Sequence, residues 1–287
     1  RCPHQVQGSW GKRTALALPI MKSALGAAGE LAIRSLIDRA PLASSLADAY
    51  KNAGFRLALV GGSVRDAILG RLSNDLDFTT DAPPQMSKKI LSNWAENIWE
   101  TGIAFGTVAG KRGETTVEVT TYRNENYDAD SRKPDVEYGD SLEGDLSRRD
   151  FTINAMALEL TQGAPIFVDP HNGLKDPGNR VLITPSSAVQ SFSDDPLRML
   201  RAARFASQLN FTIDDEVLQA MRDMVGRISI ISAERIRDEF AKLLMSDNPR
   251  KGITILVDVG LAEIVLPEIP KLKLEIDEHH HHKDVYE

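Results

Sequence analysis

Residues 59–80 read LVGGSVRDAILGRLSNDLDFTT: an apolar start, a glycine pair, a short amphipathic stretch and an Asp-Leu-Asp close. The apolar start belongs to "RLALV" (56–60), a short buried strand by its pattern. Gly61 and Gly62 let the backbone turn sharply behind that strand and approach a phosphate, with the amides of the following helix aimed at the anion. Arg65 adds a charged fork. In a strand, side chains two apart share a face, so Asp75 and Asp77 project together while Leu76 turns into the core. Two carboxylates on one face suit Mg²⁺, which takes oxygen ligands and keeps room for water and substrate phosphates. A lone Asp-x-Asp also fits a turn with solvated aspartates; the Gly-Gly-x-x-Arg just upstream favours the metal and nucleotide reading.

Outward from this stretch, strand patterns recur at "LDFTT", "FGTVAG", "TTVEVTTY" and "PIFVDP", with a helical pattern over 84–99. Upstream, "GELAIRSLIDRAPLASSLADAYKNAGF" has helical spacing broken by Pro41 and closed by Gly54. From Asp194 onward the signal is helix only, in "DDPLRMLRAARFASQLN", "DEVLQAMRDMV", "SAERIRDEFAKLLM" and "PRKGITILVDVG". The expectation is an α+β fold: a mixed-sheet head over 26–180 and an all-α domain over 181–287, behind a weakly ordered leader over 1–25. The boundary falls between Asp176 and Ser193. The polar segment from Tyr122 to Arg148 has no clear period, and a loop of that length is functional or disordered.

With 287 residues, 42% of them hydrophobic, the chain can bury a sizeable core in two domains. A net charge of −7 excludes a surface coated in positive charge, so nucleic-acid binding has to rest on a local basic groove. Cys2 is the only cysteine, which fits a reducing compartment and a cytoplasmic location. No run approaches the ~20 apolar residues of a membrane span, and "KRTALALPIM" lacks a convincing signal-peptide cleavage site; no membrane partner is expected.

The sequence resembles the class II tRNA nucleotidyltransferases and the related bacterial poly(A) polymerases of the polymerase-β superfamily, over about residues 55–245. The blocks that carry the likeness are LVGGSVRDAILGRLSNDLDFTT, RRDFTINAMA (148–157), DPHNGLKDP (169–177), DDPLRMLRAARF (194–205) and SAERIRDEFAKLL (232–244). The fourth begins Asp-Asp where many members have Glu-Asp. The resemblance implies a polymerase-β-type head followed by a helical neck and body, and template-independent addition of CCA to a tRNA 3′ end from ATP and CTP. The rival readings are a poly(A) polymerase, a CC-only or A-only relative, and a catalytically idle RNA-binding protein that kept the fold.

Residue by residue, the resemblance makes Asp75 and Asp77 the catalytic ligands of two Mg²⁺ ions. Glu118, in a neighbouring strand pattern, is either a third carboxylate or the cross-strand partner of a lysine or arginine. Gly62, Arg65, Arg149, Asp195, Arg198, Arg201 and Arg204 are the nucleotide-binding candidates, with Arg148 beside them. Asn154 either touches the ribose or caps backbone groups. By spacing alone Asp195 and Arg198 form an i,i+3 ion pair. As a base reader, Asp195 accepts from the exocyclic amine of C or A and Arg198 donates to the adjacent ring nitrogen, while U and G present the opposite pattern. Arg201 and Arg204 point toward the triphosphate or acceptor end, or else form a solvated basic edge. In the resembling family, a flexible loop in the region of the polar segment from Tyr122 to Arg148 separates members that complete CCA from those that stop at CC. "EHHHHKDVYE" (278–287) resembles either a tag or the opening of the HD-type domain fused to many members, ahead of which the chain looks truncated; no metal is assigned to His279 to His282.

Overall fold

The computed structural model describes residues 30–271 except 32, 35, 36, 38–40, 72, 73, 127–134 and 140. The expected leader, the centre of the polar segment and the histidine run lie outside the described residues. Pro41 begins the first full helix, α1 (Pro41–Asn52), which buries Ala43, Leu46, Ala47 and Tyr50 at helical spacing. Strand β1 (Leu57–Val60) is buried along its whole length, which is why it reads as an unbroken apolar run. After the glycine turn come α2 (Gly62–Ile68), β2 (Asp75–Thr80), α3 (Pro84–Trp94), β3 (Asn97–Trp99), β4 (Thr107–Arg112) and β5 (Thr115–Thr121).

The head continues through β6 (Arg123–Asn126), β7 (Asp135–Tyr138), α4 (Leu142–Ser147), β8 (Ala157–Glu159) and β9 (Ile166–Val168). Seven strands form one mixed sheet in the order β3-β4-β5-β2-β1-β8-β9. Only β2 and β5 run parallel; every other neighbouring pair is antiparallel. One face of β2 and β5 packs Leu76, Phe78, Val117 and Val119 into the head core with Leu59, Val64 and Leu91. The opposite face carries Asp75, Asp77 and Glu118, all exposed.

The helical part starts with α5 (Lys175–Asn179) and β10 (Val181–Leu182), then α6 (Ala188–Asp194), α7 (Leu197–Leu209) and β11 (Thr212–Ile213). It continues as α8 (Asp215–Met224), α9 (Ala233–Leu244), α10 (Pro249–Asp258), α11 (Ala262–Val265) and α12 (Glu268–Lys271). Its core gathers Phe192, Leu200, Phe205, Met221, Leu243 and Leu256, and takes in Phe151 and Ile153 from the RRDFTINAMA block. Phe151 meets Phe205 edge to face, centroids 5.8 Å apart. That block therefore spans the junction: Phe151 and Ile153 pack into the neck, while Met156 packs into the head core and Ala155 and Ala157 against β1.

Three expectations need correction. The helix over 84–99 ends at Trp94, because Ile98 is held in an edge strand whose partner is Gly110; a short apolar run satisfies either period. The helix-only signal after Asp194 is interrupted: Asn210 takes a left-handed turn at φ 55°, and Thr212–Ile213 pair in parallel with β10. The polar segment from Tyr122 to Arg148 is structured at both ends, as the antiparallel β6–β7 hairpin and the Ser141-capped helix α4.

Candidate active site

A cleft of about 830 Å³ lies between the carboxylate face of the sheet and the neck helices. Its floor includes Asp77 and Glu118; its far wall includes Asp195, Arg198, Arg227 and Arg235. The parallel β2–β5 register sets Asp77 beside Glu118 and Asp75 beside Thr116, so three carboxylates share one small area. Partial desolvation of the Asp77 carboxyl at the cleft floor raises its pKa, helped by the negative charges of Glu118 and Asp75 and opposed by Arg149 and Arg65. Glu118 has no lysine or arginine ion-pair partner among the described residues; Ala109 faces it on the other side. Of its two sequence readings, the cross-strand lysine or arginine partner is not formed, and no group of three side chains placed to hold a metal ion occurs among the described residues.

The glycine turn is built against this floor. Gly61 holds φ +66°, and a Cβ there would meet Arg149 Nη1 at 2.9 Å and Asp77 Oδ2 at 4.0 Å. Ser63, which sequence reasoning missed, clips the turn to the strand: its hydroxyl accepts the Asp77 N–H at 3.2 Å and donates to the Asp75 carbonyl at 3.4 Å. Arg149 reaches the turn because buried Asp145 holds it at 3.1 Å and Arg148 at 2.8 Å. Burial pushes the Asp145 carboxyl up, but the two arginines outweigh that and hold it below the usual range. The Nε of Arg149 is buried without an acceptor.

Arg65 stands behind the turn. Its guanidinium donates to Asp66 at 2.8 and 2.9 Å and to Asn154 Oδ1 at 2.7 Å, and lies 5.3 Å from the Phe205 ring centre. Gly62 is the first residue of α2, with the Arg65 side chain 3.4 Å from where a Cβ would be. Asn154 in turn donates to Asp150 Oδ1 at 2.9 Å, so it links Arg65 to Asp150. DPHNGLKDP buttresses this region: Asp169 accepts the Gly173 and Leu174 amides at 2.7 and 3.0 Å, and His171 Nε2 shares a 2.9 Å hydrogen bond with Ser147 on α4.

On the neck wall, the i,i+3 pair expected from spacing does not form. Asp195 precedes α7 in extended backbone (φ −145°, ψ 101°), so the helical same-face rule does not reach it. Its Oδ1 accepts the Leu197 N–H at 3.1 Å and its Oδ2 pairs with Arg235 on α9 at 2.8 Å. Arg198 donates to Ser191 Oγ at 2.9 Å and to the Arg148 carbonyl, which fixes its plane while leaving donors over from its five N–H groups. Arg201 lines the cleft but is committed to Asp150 at 2.6 Å and reaches Glu239 at 3.5 Å. Arg204 is buried on Glu239 at 2.6 Å and stacks 3.9 Å from the Phe205 ring centre, since α7 is buried on nearly every face. The solvated basic edge is therefore absent, and the two arginines brace the neck. Asp150, Arg235 and Glu239 stand within the blocks, and Asp145 in the polar segment, without a sequence-assigned role; a buried charge's partner is a tertiary fact that linear spacing does not show.

A mixed sheet presenting clustered carboxylates beside a glycine turn, closed over by an arginine-bearing helical neck, defines a nucleotidyltransferase head of the polymerase-β type. Residues 57–183 match the family described as "Poly A polymerase head domain", and residues 210–272 match "Probable RNA and SrmB- binding site of polymerase A". The chain belongs to the family of CCA-adding enzymes and bacterial poly(A) polymerases. It is 41% identical over 216 residues to the CCA-adding enzyme of Lactobacillus helveticus (strain DPC 4571), covering 75% of this chain and 52% of the relative. To that of Streptococcus gordonii it is 38% identical over 229 residues, covering 79% and 55%. The fold matches the Bacillus stearothermophilus CCA-adding enzyme in complex with CTP at TM-score 0.67 and 32% identity, covering 76% of this chain and 52% of that one. It matches a tRNA nucleotidyltransferase complexed with a primer tRNA and an incoming ATP analog at TM-score 0.66 and 28% identity, covering 80% and 66%. The chain spans about half the length of the curated relatives it matches.

Proposed function

We propose that this chain carries the catalytic head and neck of a template-independent nucleotidyltransferase that adds CCA to tRNA 3′ ends from CTP and ATP. The observation that carries the reading is one cleft with two chemically distinct walls: Asp77 and Glu118 on the head, Asp195 and Arg198 on the neck. Asp75 and Asp77 are the residues that would hold Mg²⁺, two oxygen donors on one exposed face with Glu118 beside Asp77; no group of three ligand side chains placed to hold an ion occurs among the described residues, so water and substrate phosphates would supply the remaining ligands. When bound there, the metal supplies a Lewis acid for the RNA 3′ hydroxyl and for the triphosphate.

The chain's own residues do the rest. Gly61 lets the triphosphate lie close to the backbone, and Arg149, held by Asp145, offers it a guanidinium. Asp195, oriented by Arg235, accepts the exocyclic amine of C or A; Arg198 donates to the neighbouring ring nitrogen. Uracil or guanine in that place leaves buried polar groups opposed, a penalty that can reach about 10⁴-fold. Arg65, Arg201 and Arg204 act by positioning: they lock Asn154, Asp150 and Glu239 so that the neck wall stands at a fixed distance from the floor. A cytoplasmic location goes with this reading, supported by the lone Cys2. No described helix is long and apolar enough to cross a membrane.

The test is incorporation of labelled CTP and ATP into a tRNA lacking its CCA end, with Asp77→Ala as the control. Label in RNA from the wild type alone is the expected result. RNA binding without incorporation by the wild type would make the chain an idle RNA binder.

A further inference from the structure

Four arginines lining the cleft are tied to carboxylates: Arg148 and Arg149 to Asp145, Arg201 to Asp150, and Arg235 to Asp195. Arg198, already placed at the base, and Arg227 have no carboxylate partner among the described residues. Arg227 sits in the 3₁₀ turn Val225–Ile230 on the neck wall and lines the cleft next to Ile230 and Ile231. Its Nη2 donates to the Ser193 carbonyl at 3.2 Å, which anchors the side chain two residues from Asp195. Its Nε is buried and has no acceptor. The Nε of Arg149 is orphaned in the same way although that residue is paired with Asp145, so what sets Arg227 apart is the missing carboxylate.

We propose that Arg227 holds a backbone phosphate of the RNA substrate, an inference that rests on the nucleotidyl-transfer reading above. The anion is RNA rather than the triphosphate because the two ends of the nucleotide are already allotted. Its phosphates belong to the head, where Arg149 and Gly61 adjoin Asp77, and its base belongs at Asp195. Arg227 lies on the Asp195 side, tethered to Ser193, away from the glycine turn. The charge balance adds weight. A chain of net charge −7 has no long-range attraction for RNA, so affinity depends on the few cleft cations that no carboxylate neutralises.

The experiment measures equilibrium binding of 5′-labelled tRNA lacking its CCA end to wild type, Arg227→Gln and Arg227→Lys, across about 50–200 mM salt. Arg227→Gln is expected to weaken binding about tenfold at low salt and to reduce the slope of log affinity against log salt by about 0.7–0.9, one phosphate contact. Arg227→Lys should keep most of that slope. The KM for CTP at saturating RNA and the preference for CTP over UTP should match wild type in both variants. Wild-type affinity and slope in Arg227→Gln would overturn the proposal. So would a raised KM for CTP, which would assign Arg227 to the triphosphate, or a lost CTP preference, which would make it a brace for the Asp195 strand. Incorporation by the wild type is scored separately: its absence sinks the enzymatic reading, while the binding series still decides Arg227.

Discussion

Asp150→Asn is expected to loosen the junction between head and neck. Asp150 is buried and accepts four hydrogen bonds: from the Phe151 amide at 2.8 Å, Asn154 Nδ2 at 2.9 Å, Arg201 Nε at 2.8 Å and Arg201 Nη2 at 2.6 Å. Asparagine keeps the shape but either turns an NH₂ toward Arg201 or gives up the acceptor facing Asn154 and Phe151. Breaking a buried ion pair costs about 3–5 kcal/mol. Arg201 retains Glu239 at 3.5 Å and its side chain is 32% exposed, so solvent screening lowers this to about 2–3 kcal/mol. For a protein of this size that is roughly 3–5 °C in Tm. Burial raises the Asp150 carboxyl pKa, but Arg201, the Asn154 hydrogen bond and Arg198 outweigh it and hold the group well below the usual range. Its contribution is therefore fully present above the unfolded value of about 3.9 and is lost as pH falls below it, so the gap between wild type and variant should close in acid. Urea and thermal unfolding at neutral and acid pH, with Arg201→Met and the double variant, measure both effects. A loss under about 0.5 kcal/mol, or strict additivity of the two substitutions, would refute the tether.

The other predictions concern the cleft itself. Asp75→Ala and Asp77→Ala should each lower turnover on the order of 10³-fold or more while thermal unfolding stays near wild type, because both groups are exposed; substantial turnover in either would remove the metal assignment. Asp195→Ala should impair use of CTP and ATP and relax rejection of UTP by about 10²-fold or more, read by competition between the nucleotides; unchanged selectivity would leave Asp195 as a helix cap. Gly61→Ala places a Cβ 2.9 Å from Arg149 Nη1 at φ +66°, so kcat should fall about tenfold or more, together with a stability loss of about 1–2 kcal/mol; wild-type kinetics would mean that Arg149 does not act at the turn.

Much of the head was legible because its information is local. The alternation in DLDFTT puts Leu76 and Phe78 inside and the aspartates outside, and the buried run LALV marks a central strand. The neck helices show their apolar stripes in sequence for the same reason. What spacing could not give is the pairing of charges. Asp195 and Arg198 look like partners three residues apart, yet one residue of extended backbone before α7 turns Asp195 to Arg235, forty positions away. Arg201 and Arg204 read as a basic edge until Glu239 and Asp150 are brought against them. The parallel alignment of Asp77 with Glu118 likewise depends on a register that only the folded sheet sets. Strand Asn97–Trp99 was hidden because three residues carry too little period to separate from a helix end.

The central claim is that this cleft adds a defined C, C, A sequence without a template, and 3′-end sequencing tests it most directly. A tRNA lacking its CCA end is incubated with the protein, Mg²⁺ and all four nucleoside triphosphates, and the added residues are read one molecule at a time. The account predicts C, then C, then a single A, with U and G absent. Long A tracts, on this RNA and on unrelated RNA alike, would contradict it and make the chain part of a poly(A) polymerase.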